Sequence, residues 1–108
     1  MDTPSQRIPV DRGWYRYRLA ESANFQDAED TLHLAVLAVE ARVGEGRVRL
    51  DARFSIDESK RTICIDATTP TGEALNETFI YLLVKELGLG ALTVKRMHRS
   101  RRTRDVGA

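Results

Sequence analysis

The sequence is poor in sulfur and in rings. One cysteine, Cys64, occurs in 108 residues. It can form no disulfide within the chain, so a reducing compartment such as the cytoplasm is the expected setting. Aromatic side chains make up 6%. The two histidines, His33 and His98, do not make a zinc site with a lone cysteine. Apolar runs such as residues 34–39 are far below the ~20 residues that a membrane span needs. No basic stretch followed by an apolar one opens the chain, so neither a secretory signal nor a membrane partner is expected. Internal repeats are absent.

What is present fits a folded domain. Hydrophobic residues are 42% and charged residues 31% of the chain, a balance that argues against wholesale disorder. The net charge of +1 hides a division. Residues 1–94 carry 11 basic against 15 acidic side chains, whereas residues 95–108 carry six basic against one acidic. The sequence therefore predicts a loose leader over residues 1–12, a single α+β domain over 13–97, and a basic flexible tail over 98–108. Lys95, Arg96, Arg99, Arg101, Arg102 and Arg104 give the C-terminal end the charge of an arm for phosphate-rich partners. The blander reading is a frayed, solubilising terminus.

Periodicity supplies the elements. Tyr15, Tyr17 and Leu19 alternate with Trp14, Arg16 and Arg18, which predicts a first strand with two unlike faces. Asn24 is a good helix cap. After it, Leu32, Ala35, Val36, Val39 and Val43 recur at spacings of three and four, predicting a helix over about 25–43 that residues 44–46 end. From residue 47 to 57, Val48, Leu50, Ala52, Phe54 and Ile56 alternate with polar positions, so this whole segment reads as a strand.

Ile63, Ile65 and Ala67 alternate in the next strand. A four-residue loop over 58–61 opposes Ile56 with Ile63, Phe54 with Ile65 and Ala52 with Ala67. The same register places Arg53 opposite Asp66 on the wet face. Thr69 or Thr71 then caps a second helix with Pro70 near its start. That helix has Leu75, Phe79, Leu82 and Leu83 inward and ends at Gly88. A last strand over 89–97 has Leu92 and Val94 inward.

The order strand, helix, strand, strand, helix, strand resembles the ferredoxin-like βαββαβ sandwich. That resemblance implies a four-stranded antiparallel sheet with two helices on one face and the other face open. On the open face it would gather Trp14, Arg16, Arg18, Arg47, Arg49, Arg53 and Lys95. RNA-recognition domains have a similar architecture, but residues 61–66 offer no ring for base stacking where that family has its aromatic motif.

No catalytic or cofactor constellation emerges. His33, with Glu29 and Glu40 at helical spacing, reads as a charged surface. Cys64 reads as a small residue on a sheet, with no histidine expected beside it to activate the thiol. Asp51, Asp57 and Asp66 are interleaved with arginines, which suits salt bridging better than acid–base work. Residues 68–72 precede a helix but lack the lysine and glycine spacing of a nucleotide loop. No cofactor and no metal are expected.

Both helices are apolar over wider arcs than one sheet face requires. Leu34, Leu37, Ala38 and Ala41 on the first, and Ile80, Tyr81 and Val84 on the second, suit a partner or self-association contact. The leading expectation is a small non-enzymatic binding or assembly module, as a homodimer or with a protein partner. The alternative is a nucleic-acid-binding protein using the arginine-rich sheet face with Trp14, Arg16, Arg18, Arg49, Arg53 and Lys95, together with the basic arm.

Overall fold

The structure, a computed structural model, describes residues 13–97. The leader and tail predicted for 1–12 and 98–108, with Arg99, Arg101 and Arg102, lie outside the described residues. Four strands and three helices follow one another: β1 (Trp14–Leu19), α1 (Phe25–Val43), α2 (Glu45–Asp51), β2 (Arg53–Asp57), β3 (Thr62–Asp66), α3 (Pro70–Leu87) and β4 (Leu92–Met97). A short 3₁₀ turn, Leu89–Ala91, leads into β4. The sheet is open, with strand order β2-β3-β1-β4 and every neighbouring pair antiparallel. The chain is therefore an α+β protein. No helix among the described residues is long and apolar enough to cross a membrane.

Local chemistry explains the helix ends. The Asn24 side chain accepts the Gln26 N–H at 2.9 Å and starts α1. Gly44, at φ +97°, ends it in a conformation that a side chain would strain. Thr69 Oγ1 accepts the Gly72 N–H at 2.9 Å, and Pro70 opens α3, where its missing N–H costs nothing. Phe25, Ala28, Leu32, Ala35 and Val39 form the buried stripe of α1. They meet Leu75, Phe79 and Leu83 of α3 over Tyr17, Leu19, Ile63 and Ile65 of the two central strands. Tyr17 and Phe79 stack edge to face, with ring centroids 5.0 Å apart and planes at 81°.

The β2–β3 hairpin has the register read from its pattern. Arg53 pairs with Asp66, Phe54 with Ile65, and Ile56 with Ile63. The segment before it differs from expectation. Residues 45–51 are helix α2, so β2 starts only at Arg53. A two-residue repeat also contains a four-residue one: Val48 and Ala52 share a helical face as readily as a strand face. Helix is favoured by the packing of Val48 into the core and by the charges, since Glu45 meets Arg49 at 2.7 Å and Arg47 meets Asp51 at 3.5 Å, both at i,i+4. Val48 is buried, whereas Leu50, expected inward, is 76% exposed.

The departures on the outer strands share one cause. The helices cover the central strands β1 and β3 and leave the outer strands partly bare. Phe54 on β2 is on the expected side of the sheet but 38% exposed, and Val94 on β4 is 44% exposed. Ile65, at the centre, is fully buried. Val43 lies at the open end of α1 and is exposed, and Leu82 is only half-buried.

Candidate functional site

The open face of the sheet is a grid set by the strand registers. Residues directly opposite one another in antiparallel strands point the same way. One row runs Arg53, Asp66, Trp14, Met97. The next runs Ser55, Cys64, Arg16, Lys95, and the third runs Asp57, Thr62, Arg18, Thr93. Trp14, Arg16, Arg18, Arg53 and Lys95 therefore share this face, as expected from the sequence. Arg47 and Arg49 do not: they lie on α2, ion-paired within it, because the segment that carries them is not strand. Arg96 pairs with Tyr15 and points to the helix side of the sheet.

The carboxylates of the face are held by their own neighbourhood. Asp66 is buried and accepts from the Thr68 N–H at 2.9 Å and from the Thr68 hydroxyl at 2.6 Å. The pairing with Arg53 is thus present, but the Asp66 carboxylate is turned to Thr68. Asp57 accepts from the Ser59 hydroxyl at 2.7 Å and the Lys60 N–H at 3.2 Å. These bonds, the Ser59 hydroxyl first, hold its carboxyl below the usual range. Asp51, expected with them, sits at the end of α2.

One open groove of about 580 Å3 runs across the third row towards the hairpin. Arg16, Arg18, Lys60 and Lys95 bring basic groups to it, with hydroxyls from Ser59, Thr62 and Thr93; Glu21 is its acidic member. Arg61 also borders it, but its guanidinium is already engaged. It donates to Leu19 O at 3.4 Å, to Ala20 O at 2.7 Å and to Ala23 O, and it lies 5.9 Å from the Phe25 ring centroid. Arg61 adopts φ +55°, the turn conformation that closes the hairpin. The sequence reading missed this role. A basic residue directly before a strand, at the end of a four-residue loop, is a weak signal for it.

The remaining polar candidates do not line this groove. His33 is exposed on α1. Cys64 is half-buried opposite Ser55. The Tyr17 hydroxyl donates to Asn76 Oδ1 inside the core. Among the described residues, no group of three or more His, Cys, Asp or Glu is placed to hold a metal ion.

The helix surface divides unevenly. Leu34 and Leu37 are each 59% exposed, and Ala38 and Ala41 are exposed beside them. At i, i+3, i+4 and i+7 they form one stripe on the back of α1, opposite its core stripe. On α3, Ile80 and Val84 are half-buried and only Tyr81 is exposed, with Lys85 Nζ 5.3 Å from its ring centroid. No family model matches the chain, and neither a curated protein nor a solved structure does.

Proposed function

We propose that this protein is a small, non-enzymatic assembly module of ferredoxin-like fold that pairs with a second copy of itself through the outer face of α1. The βαββαβ order and the strand sequence β2-β3-β1-β4 support the fold reading, with α2 as an addition between α1 and β2. Its polar core groups serve structure: Asp66 holds Thr68, Asn76 takes the Tyr17 hydroxyl, and Thr69 caps α3. The half-buried free Cys64 suits work in the cytoplasm.

The observation that carries the assembly reading is the shape of the α1 stripe. It is bulky at one end, Leu34 and Leu37, and small at the other, Ala38 and Ala41. A two-fold copy running antiparallel sets leucines against alanines at both ends, which is the self-complementarity that an isologous dimer requires. Ile80, Tyr81 and Val84 of α3 then form at most the margin of this contact, since only Tyr81 is exposed.

The stripe spans about two helical turns, so the dimer is weak and dissociates on dilution. Analytical ultracentrifugation from micromolar to millimolar concentration is the test. A monomer–dimer equilibrium is expected, and Leu37→Glu, on the solvent side of α1, should abolish it without lowering the melting temperature. A strict monomer at millimolar concentration, or an unchanged dimer in Leu37→Glu, overturns the proposal.

A further inference from the structure

We infer that the open sheet face binds the backbone of single-stranded nucleic acid, with Arg16, Arg18 and Lys95 on phosphates and Trp14 as a stacking platform. The first ground is an unfavourable contact. Arg16 and Lys95 are directly opposite on neighbouring strands, where like charges destabilise a sheet. Among the described residues neither has a carboxylate within ion-pair distance. The face's own carboxylates, Asp57 and Asp66, are committed to the hairpin turn and to Thr68. An anion from outside removes the repulsion that this arrangement creates.

The second ground is the form of the groove. Hydroxyls of Thr62 and Thr93 flank Arg18 in its row and can donate to the same oxyanion. Arg16 and Arg18 are two residues apart on one strand, about 6.7 Å along it, a repeat that suits successive phosphates of an extended chain. The concavity that these cations line is not enclosed, and with Arg16 and Arg18 following one another along β1 it leaves room for a chain to continue past them, which favours a polymer over a small phosphate ester. Trp14 continues the same line on β1, two positions before Arg16 and on the same face. A ring beside a basic track is how sequence-tolerant binders hold unpaired bases. A duplex hides its bases from such a ring, so the single strand is the occupant that uses the whole face.

Trp14 is the only tryptophan of the chain, so it reports on this face directly. The experiment titrates the full chain with 12-mers of oligo(U) and oligo(dT), and with a 12-base-pair duplex, following tryptophan fluorescence and the anisotropy of labelled strands. Quenching by at least one single strand, bound more tightly than the duplex, is expected. The double variant Arg16→Gln/Lys95→Gln should show a loss of affinity between 50 and 200 mM salt that is about sevenfold smaller than in the parent, from two fewer phosphate contacts. Trp14→Ala should weaken binding at least about fivefold. Arg16→Lys/Lys95→Arg, which keeps both charges, should restore the parent's salt dependence. Thermal unfolding checks that each variant is folded. No binding at 50 mM salt, duplex preferred over both single strands, or an unchanged salt dependence in the double glutamine variant overturns the inference. The last result would assign any binding to cations elsewhere in the chain.

Discussion

The Tyr17 hydroxyl donates to Asn76 Oδ1 inside the core and so ties β1 to α3 across 59 positions of sequence. Both residues are buried. The bond lets a hydroxyl sit among Phe79, Ile63 and Leu75 without the penalty of an unpaired polar group. Replacing Tyr17 by Phe leaves the Asn76 oxygen buried without this donor. The expected cost is about 1–3 kcal/mol of folding free energy, read as a lower midpoint in urea with an unchanged slope.

The same hydroxyl makes stability fall in alkali. Burial, with a smaller push from Tyr15, raises its pKa well above the usual phenol value. The unfolded chain therefore loses this proton first. The stabilisation is fully present below about pH 10 and is lost progressively as the pH rises above it towards the folded-state value. Melting curves from pH 8 to 11 should show a steeper decline in the parent protein than in Tyr17→Phe.

Gly72 admits no side chain. A Cβ there would lie 2.1 Å from the Asp66 carbonyl oxygen, a backbone atom that cannot turn aside. The start of α3 is packed directly on the end of β3, and the absence of a side chain permits it. Gly72→Ala should destabilise by about 1–3 kcal/mol or more through forced separation of the two elements. Gly90→Ala, at a position with open space, is the control and should change stability little.

Relief of like charge should stabilise the free protein. Lys95→Gln removes the repulsion with Arg16 across the β1–β4 pair. The expected gain is about 0.2–1 kcal/mol at low ionic strength, shrinking as salt screens the pair. A gain that persists at 1 M salt would point to packing instead of charge.

The pattern of the chain made its centre legible and its margins less so. Isoleucines at 63 and 65 facing Phe54 and Ile56 allowed one hairpin register, because a slip by one residue would turn every apolar side chain outward. The cap Asn24 was equally readable, since it meets its backbone donor within two residues; between Thr69 and Thr71 the sequence left a choice, and the Gly72 N–H donating to Thr69 Oγ1 decides it. Residues 45–51 were not. Their alternation suits a strand, and only the i,i+4 charge pairs and the placement of Val48 against the core settle the helix. Exposure of Phe54 and Val94 was hidden for another reason: a strand's pattern says which side is apolar, not how far the helices reach across it.

The open face could be assembled from the sequence for β1 and β3, where alternation is clean. Arg49 was misplaced with α2, and Arg96 falls on the opposite side by register with Tyr15. The commitment of Asp57 and Asp66 to local partners was not legible, because it depends on turn geometry at Lys60 and Thr68.

Arg61 fastens three carbonyls of residues 19–23 with a single planar group, while its own backbone closes the adjacent hairpin. The β1–α1 connection and the β2–β3 turn are thereby clamped at the same edge from which Arg18 and Lys60 project. The single strand inferred to bind there would meet a template whose spacing is set in advance. Little of its binding energy would be spent on ordering loops, and discrimination would rest on how well its own geometry matches that frame.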